Sequence, residues 1–255
     1  MKPLAELDAR DVRALLFDID ETFSTAGKIT AQAYGALERL HAAGTRTVAV
    51  TGRPAGWCDH IARMWPVDAV VGENGAFYFR HAGGRLRRHY HEPPELRARH
   101  LERLARIGEQ IIAAVPGSAI AADQRYRETD LAIDYCEDVP PLPVGEVERI
   151  AALMRSAGLH AKVSSIHVNG WFGDYDKLAM SRRLFRDEFG LDLERERAAV
   201  LYVGDSPNDV PMFEFFPRSV GVANVRRFGA LLATPPKYIT SAGSGAGFAE
   251  LVAHL

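Results

Sequence analysis

Four carboxylates fall where apolar runs break off. Asp18 and Asp20 lie in Asp18-Ile19-Asp20-Glu21-Thr22, directly after Val12–Phe17, and Asp205 and Asp209 lie in Gly204-Asp205-Ser206-Pro207-Asn208-Asp209, directly after Ala199–Val203. A third apolar run, Arg46–Val50, ends in Thr51-Gly52-Arg53. If the three runs are neighbouring parallel strands, their ends face one crevice, and the acids repel one another unless a cation sits among them or some are protonated. A hard, all-oxygen cluster of this kind suits Mg²⁺. A carboxylate beside that ion can attack phosphorus, and a second one two residues on can shuttle the proton. The hydroxyl of Thr51, nearby backbone N–H groups and a lysine could hold the phosphoryl oxygens. The chain has few lysines to offer: Lys2, Lys28, Lys162, Lys177 and Lys237.

The elements needed to position these residues are legible in the patterning. Val12–Phe17, Arg46–Val50 and Val67–Val71 read as buried strands, separated by helices from Thr30, the cap, to Ala43 and from Ala55 to Trp65. This alternation predicts a parallel sheet with helices on both faces. Two strand-like runs flanking His81-Ala82-Gly83-Gly84 predict a hairpin within Ala76–Tyr90. The rhythm then changes. Helical patterns over Pro94–Val115 and Val144–Ala157 are each followed by two strand patterns, Ala119–Asp123 with Leu131–Cys136, then His160–Ser164 with Ile166–Phe172. The α/β rhythm resumes with a helix over Asp176–Phe189, the strand Ala199–Val203, a helix from Asn208, a strand over Ser219–Val222, a helix from Val225, a short strand at Tyr238–Ile239 and a terminal helix. The expected fold class is α/β, a doubly wound parallel-sheet (Rossmann-like) core, residues 1–91 and 172–255, interrupted by an α+β insert of order αββαββ, residues 92–171.

These motifs resemble those of the haloacid dehalogenase-like (HAD) superfamily phosphatases. Asp18-Ile19-Asp20-Glu21-Thr22 matches the signature DxDxT, Thr51 the second motif, Lys177 the third, and Gly204–Asp209 the fourth, GDxxND, in order over the whole chain. The insert lies where the family's large class II cap sits, and its pattern is similar to the IIB caps of sugar-phosphate phosphatases and phosphomannomutases. The resemblance implies roles. Asp18 would be nucleophile and Mg²⁺ ligand. Asp20 would be general acid/base, with its backbone carbonyl on the ion. Thr51 and Lys177 would bind the transferring phosphoryl group. Asp205 and Asp209 would serve the metal, and Asn208 would position phosphate or Lys177. Gly52 and Arg53 belong to a loop that is also family-like. Glu21 replaces the family's usual Gly at the variable position of DxDxT. The implied activity is Mg²⁺-dependent hydrolysis of a small phosphorylated metabolite, a sugar phosphate, with a phosphomutase of the phosphomannomutase kind as the alternative.

Other features narrow the partners. With 31 basic and 33 acidic residues, the net charge of −2 leaves no electrostatic footprint for nucleic acid or an anionic membrane. No apolar run approaches the length of a membrane span, and Met1–Arg13 is too polar and acidic for a signal peptide. Two cysteines, Cys58 and Cys136, make neither a disulfide framework nor a zinc site, so a reducing, cytoplasmic setting is expected. His89 and His91 share a strand face but have no third partner, and read as a polar edge strand. Within the insert, Arg125, Glu128, Asp130, His167, Asn169 and Trp171 are polar or aromatic where a core would not want them. They are candidates for a sugar-binding face, with Trp171 able to stack on the ring and Asn169 able to bond hydroxyls, or equally for sheet packing and strand-edge solvation.

Overall fold

The computed structural model describes residues 1–229 and 231–255 of the 255-residue chain. The main sheet has nine strands in the order β1 (Lys2–Pro3), β13 (Tyr238–Ile239), β12 (Arg218–Gly221), β11 (Val200–Gly204), β2 (Ala14–Phe17), β3 (Arg46–Val50), β4 (Ala69–Gly72), β5 (Phe77–Ala82) and β6 (Arg85–Tyr90). From β1 to β4 along this order all pairs are parallel, and the β5–β6 hairpin is appended antiparallel. The chain leaves β2 toward β3 and β4, and later returns on the other side through β11, β12 and β13. The order therefore reverses at β2, and the crevice of a doubly wound sheet opens at such a reversal, beyond the carboxyl ends of the strands. Register fixes the consequence: Phe17 lies opposite Ala49 on one side and Val203 on the other, so Asp18, Thr51 and Asp205 emerge close together.

Alternation along the strands feeds two cores, as expected for a sheet covered on both faces. Leu15, Phe17, Ala49, Leu201 and Val203 pack under α1 (Ala31–Ala42), α2 (Ala55–Met64) and α8 (Ser244–His254). Leu16, Val48, Val50 and Tyr202 pack under α5 (Lys177–Phe189) and α7 (Val210–Phe215). Capping sets several helix starts: Thr30 accepts from the Ala33 N–H and Asp176 from the Ala179 N–H. The remaining short helix, α6, spans Leu193–Glu196. Among the described residues no helix is long and apolar enough to cross a membrane.

Between β6 and α5 the chain builds a second sheet, antiparallel and four-stranded, in the order β7 (Ala119–Ile120), β8 (Asp130–Asp134), β10 (His167–Trp171), β9 (His160–Val163), with α3 (Pro94–Ala114) and α4 (Val144–Ser156). Leu131, Ile133 and Val168 join the helices in a separate apolar core. With a side-chain period of two, the alternate residues Asp130, Asp134, His167 and Asn169 take the opposite face. All four are buried, because the main domain covers that face. The αββαββ order of the sequence reading is present. Three boundaries differ. Asp123 is not in a strand, because the chain turns at Ile120 into a 3₁₀ helix, Gln124–Tyr126. The segments after Asn208 and Val225 begin as 3₁₀ turns, Pro207–Asp209 and Ala223–Leu231, of which the first continues into α7.

Candidate active site

Asp18 follows β2 at its carboxyl end, and its Oδ1 accepts from Lys177 Nζ at 2.7 Å. The same ammonium donates to Asp209 Oδ1, also at 2.7 Å. Asp209 is held further by the Tyr202 hydroxyl (2.5 Å) and by the backbone N–H groups of Asp205 and Ser206 (3.1 and 3.2 Å). Asp205 accepts from Asn224 Nδ2 and Arg227 Nη2, both at 2.9 Å. Carboxylate oxygens of Asp18, Asp205 and Asp209 all lie within 4.8 Å of one another. Burial raises the Asp18 carboxyl to about 7; Lys177 opposes that shift while Asp209 and Asp20 add to it. Asp205 is pushed well above the ordinary range, first by burial and then by Asp18 and Asp209. Lys177 is raised: burial alone would lower it, but Asp18 and Asp209 outweigh that. Three buried carboxylates against the Lys177 ammonium and the Arg227 guanidinium still leave excess negative charge with hard oxygen donors, and this donor set fits a divalent cation such as Mg²⁺.

Thr51 is fully buried, and its Oγ1 accepts from the Arg53 N–H at 3.0 Å, which leaves its own proton free to donate. Asp20 does not join the metal-side cluster through its side chain. Arg53 holds it, with Nε 2.9 and 3.1 Å from the two carboxylate oxygens and Nη2 2.8 Å from Oδ1. The Asp20 backbone carbonyl accepts from Ser165 Oγ of the second domain at 3.4 Å. Asn208 is buried, accepts from Ser206 Oγ at 2.6 Å, and lines the cleft together with Gly52 and Arg53. The inserted domain lines the cleft with Ser164, Ser165, Ile166, His167 and Asn169. The space left in it is that of about one water molecule. The two domains are closed on each other.

Of the expected sugar-binding face, His167 and Asn169 reach the cleft. Asn169 also donates to Asp130 at 3.1 Å. Two expectations are corrected. Trp171 shares the face of His167 and Asn169 but lies at the linker end of β10. It is 2% exposed, its ring stacks against Tyr175 and His160, and its indole N–H donates to the Tyr175 carbonyl, so no face is free for a sugar. Arg125 points outward from the 3₁₀ turn onto Tyr126, donating to its hydroxyl at 2.7 Å, and does not line the cleft. Glu128 pairs with Arg97 and Tyr90 at the domain junction.

Residues missed by the sequence reading complete the site. Glu137 reaches Arg53 at 2.6 Å. Glu73, fully buried, accepts from the backbone of Ala55, Glu128 and Thr129 and from the Thr129 hydroxyl, tying the domains together beside the Thr51 loop. Arg127 crosses the same junction, donating to the Gly52 carbonyl at 2.8 Å. Tyr202, Asn224 and Arg227 orient the metal-side acids. Asn224 carried a usable signal: it follows β12, a neighbour of β11, and so emerges at the same end of the sheet.

A cluster of acids and a lysine thus sits at the switch point of a doubly wound sheet, covered by an inserted unit with a polar face. Residues 15–128 match the family model described as haloacid dehalogenase-like hydrolase. No curated protein sequence matches the chain significantly. Its fold is similar to that of Thermoplasma acidophilum 0175 (17% identity, 95% of this chain and 97% of that one, TM-score 0.71). It is also similar to the sucrose-phosphatase of Synechocystis sp. PCC6803, solved with sucrose and phosphate (16% identity, 95% and 97%, TM-score 0.64). A third similar structure is a HAD subclass IIB sugar phosphatase (16% identity, 95% and 98%, TM-score 0.61).

Proposed function

We propose that the protein hydrolyses the phosphomonoester of a small sugar phosphate through an aspartyl-phosphate intermediate, in a Mg²⁺-dependent reaction. The observation that carries this reading is the Asp18–Lys177–Asp209 chain with Asp205 beside it, facing Asp20 across the cleft. Asp18, Asp205, Asp209 and the Asp20 carbonyl would hold the ion. Bound there, it offsets the charge of the phosphoryl oxygens and of the attacking carboxylate. An Asp18 oxygen attacks phosphorus, the bond from phosphorus to the sugar oxygen breaks, and Asp20 delivers the proton that the leaving oxygen needs. Asp20 then takes a proton from a water that attacks the same phosphorus, releasing phosphate and restoring Asp18. Lys177 and Thr51 hold the phosphoryl oxygens, and Arg53 fixes the direction of Asp20. We read residues 92–171 as a cap whose polar face meets the leaving group, between core segments 1–91 and 172–255. We place the enzyme in a reducing, cytoplasmic compartment, since both cysteines are free thiols.

The test is turnover of p-nitrophenyl phosphate and a panel of sugar phosphates by wild type and Asp18→Asn. The substitution keeps shape but removes the attacking anion, and kcat should fall at least about a thousandfold. Near-wild-type turnover by a purified, folded Asp18→Asn protein sinks the assignment.

A further inference from the structure

Among the described residues lining the cleft there is one guanidinium, that of Arg53, from the loop after β3. Arg53 is 4% exposed and its donors are already committed. Nε and Nη2 go to Asp20, Nη2 also reaches Glu137 Oε1 at 2.6 Å, and Nη1 lies 3.3 Å from Asp123 Oδ2 and 3.4 Å from Glu137 Oε2. The second Glu137 oxygen also faces His167 Nε2 at 2.9 Å. These contacts, which outweigh burial, hold the Glu137 carboxyl down at about 2.

Glu137 is not a loose surface acid. It sits in a turn locked by Asp134, itself 1% exposed. The Asp134 carboxylate accepts the backbone N–H groups of Cys136, Glu137 and Asp138 at 2.9, 2.8 and 2.8 Å. The turn therefore fixes the anion against Arg53 and His167, two residues that line the cleft. The cap groups that line the cleft are Ser164, Ser165, His167 and Asn169, with Ile166. They are hydroxyl, imidazole and amide groups, suited to exchanging hydrogen bonds with hydroxyls.

We propose that Glu137 is a specificity-determining residue that admits neutral, hydroxyl-bearing leaving groups and rejects leaving groups carrying a second anion. This rests on the phosphatase reading and narrows it. A carboxylate or second phosphate on the leaving group would find Arg53 already neutralised and the fixed Glu137 charge behind it, its side chain 28% exposed, and like charges brought together are disfavoured. Hydroxyls meet the same carboxylate as an acceptor. A mutase cycle, which must hold a bisphosphate, is opposed by the same charge.

The experiment compares kcat/KM of wild type for neutral hexose 6-phosphates against 3-phosphoglycerate and fructose 1,6-bisphosphate, with p-nitrophenyl phosphate as a common probe and Mg²⁺ present. Wild type should favour the neutral leaving groups by at least about tenfold, and Glu137→Gln should narrow that ratio by about tenfold or more by freeing Arg53. The ratio is read, so a partly active preparation still reports. If the variant does not fold, the wild-type comparison decides. Equal or better use of the anionic substrates by wild type overturns the proposal, since the anion then displaces Glu137 from Arg53. A ratio unchanged in Glu137→Gln overturns it as well. Absence of any hydrolysis by wild type, p-nitrophenyl phosphate included, instead removes the phosphatase reading beneath it.

Discussion

Lys177 is 2% exposed and bonded to two carboxylates, so it carries stability beside the role in chemistry proposed for it. Replacing it with methionine keeps the stem and leaves Asp18 and Asp209 buried without their cation. Breaking a buried pair in this way costs roughly 3–5 kcal/mol. Lys177→Met should therefore lower the denaturation midpoint in chelator and abolish turnover, with part of the stability returning on adding Mg²⁺. A melt unchanged by the substitution would remove Lys177 from the charge balance. The residues of this cluster were legible because chemistry and position coincide: acids at strand ends have few other reasons to converge. Trp171 was not legible, because a tryptophan at a domain junction and one on a sugar platform look alike in sequence. What separates them is burial against Tyr175, a residue in the linker that follows. Glu137 was missed for a related reason. Its significance lies in Arg53, 84 positions away, and in the Asp134 turn that aims it.

At the scale of elements, the turn Glu73-Asn74-Gly75 after β4 joins three functional parts. Glu73 and Asn74 are both in the left-handed region (φ 42° and 56°), a strained arrangement that persists only where surroundings enforce it. Glu73 binds the cap at Glu128 and Thr129, Asn74 packs against Gly52, and Gly75 lies against the start of α5, where Lys177 begins. At Gly75 the φ is +108°, and an added Cβ would stand 2.0 Å from the Asp176 carbonyl oxygen. Gly75→Ala should then cost roughly 3 kcal/mol or more and displace Lys177, lowering kcat in whatever protein remains folded. Gly83→Ala is the control. It also has positive φ (+58°), but it sits in open space at the hairpin tip, so it should cost about 1–2 kcal/mol and leave kcat unchanged. Equal effects at the two sites would deny the turn its positioning role. The strands and long helices themselves were readable from period and caps. The turn was not, since three residues carry no period and nothing in Glu73-Asn74-Gly75 announces a partner 55 positions on.

Across the whole molecule, the acids that the sheet gathers make stability depend on pH and on divalent cations together. Asp18 has its carboxyl raised to about 7 by burial, with Asp209 and Asp20 adding to the shift, and Asp205 is also raised well above the ordinary range, first by burial. In the unfolded chain both titrate near 4. Between those values the native state holds protons that the unfolded state has released, so stability falls as pH rises from about 4 through 7. Above that window the uncompensated charge opposes folding in full. A cation bound among Asp18, Asp205 and Asp209 competes with those protons, so its stabilisation should grow in the same direction. At a hundredfold excess over Kd, linkage gives about 2.7 kcal/mol. For a chain of this length that is a rise in Tm on the order of 5–10 °C. The measurement is a set of thermal melts at pH 5 and pH 8, each with chelator and with Mg²⁺. Chelated protein should be less stable at pH 8 than at pH 5, and the Mg²⁺ increment should be several degrees at pH 8 and small at pH 5. Asp205→Asn deletes one charge of the cluster, so it should raise the chelated Tm at pH 8 and shrink the increment. An increment equal at both pH values, or one that survives Asp205→Asn intact, would place the cation elsewhere on the protein and separate the cluster from the metal.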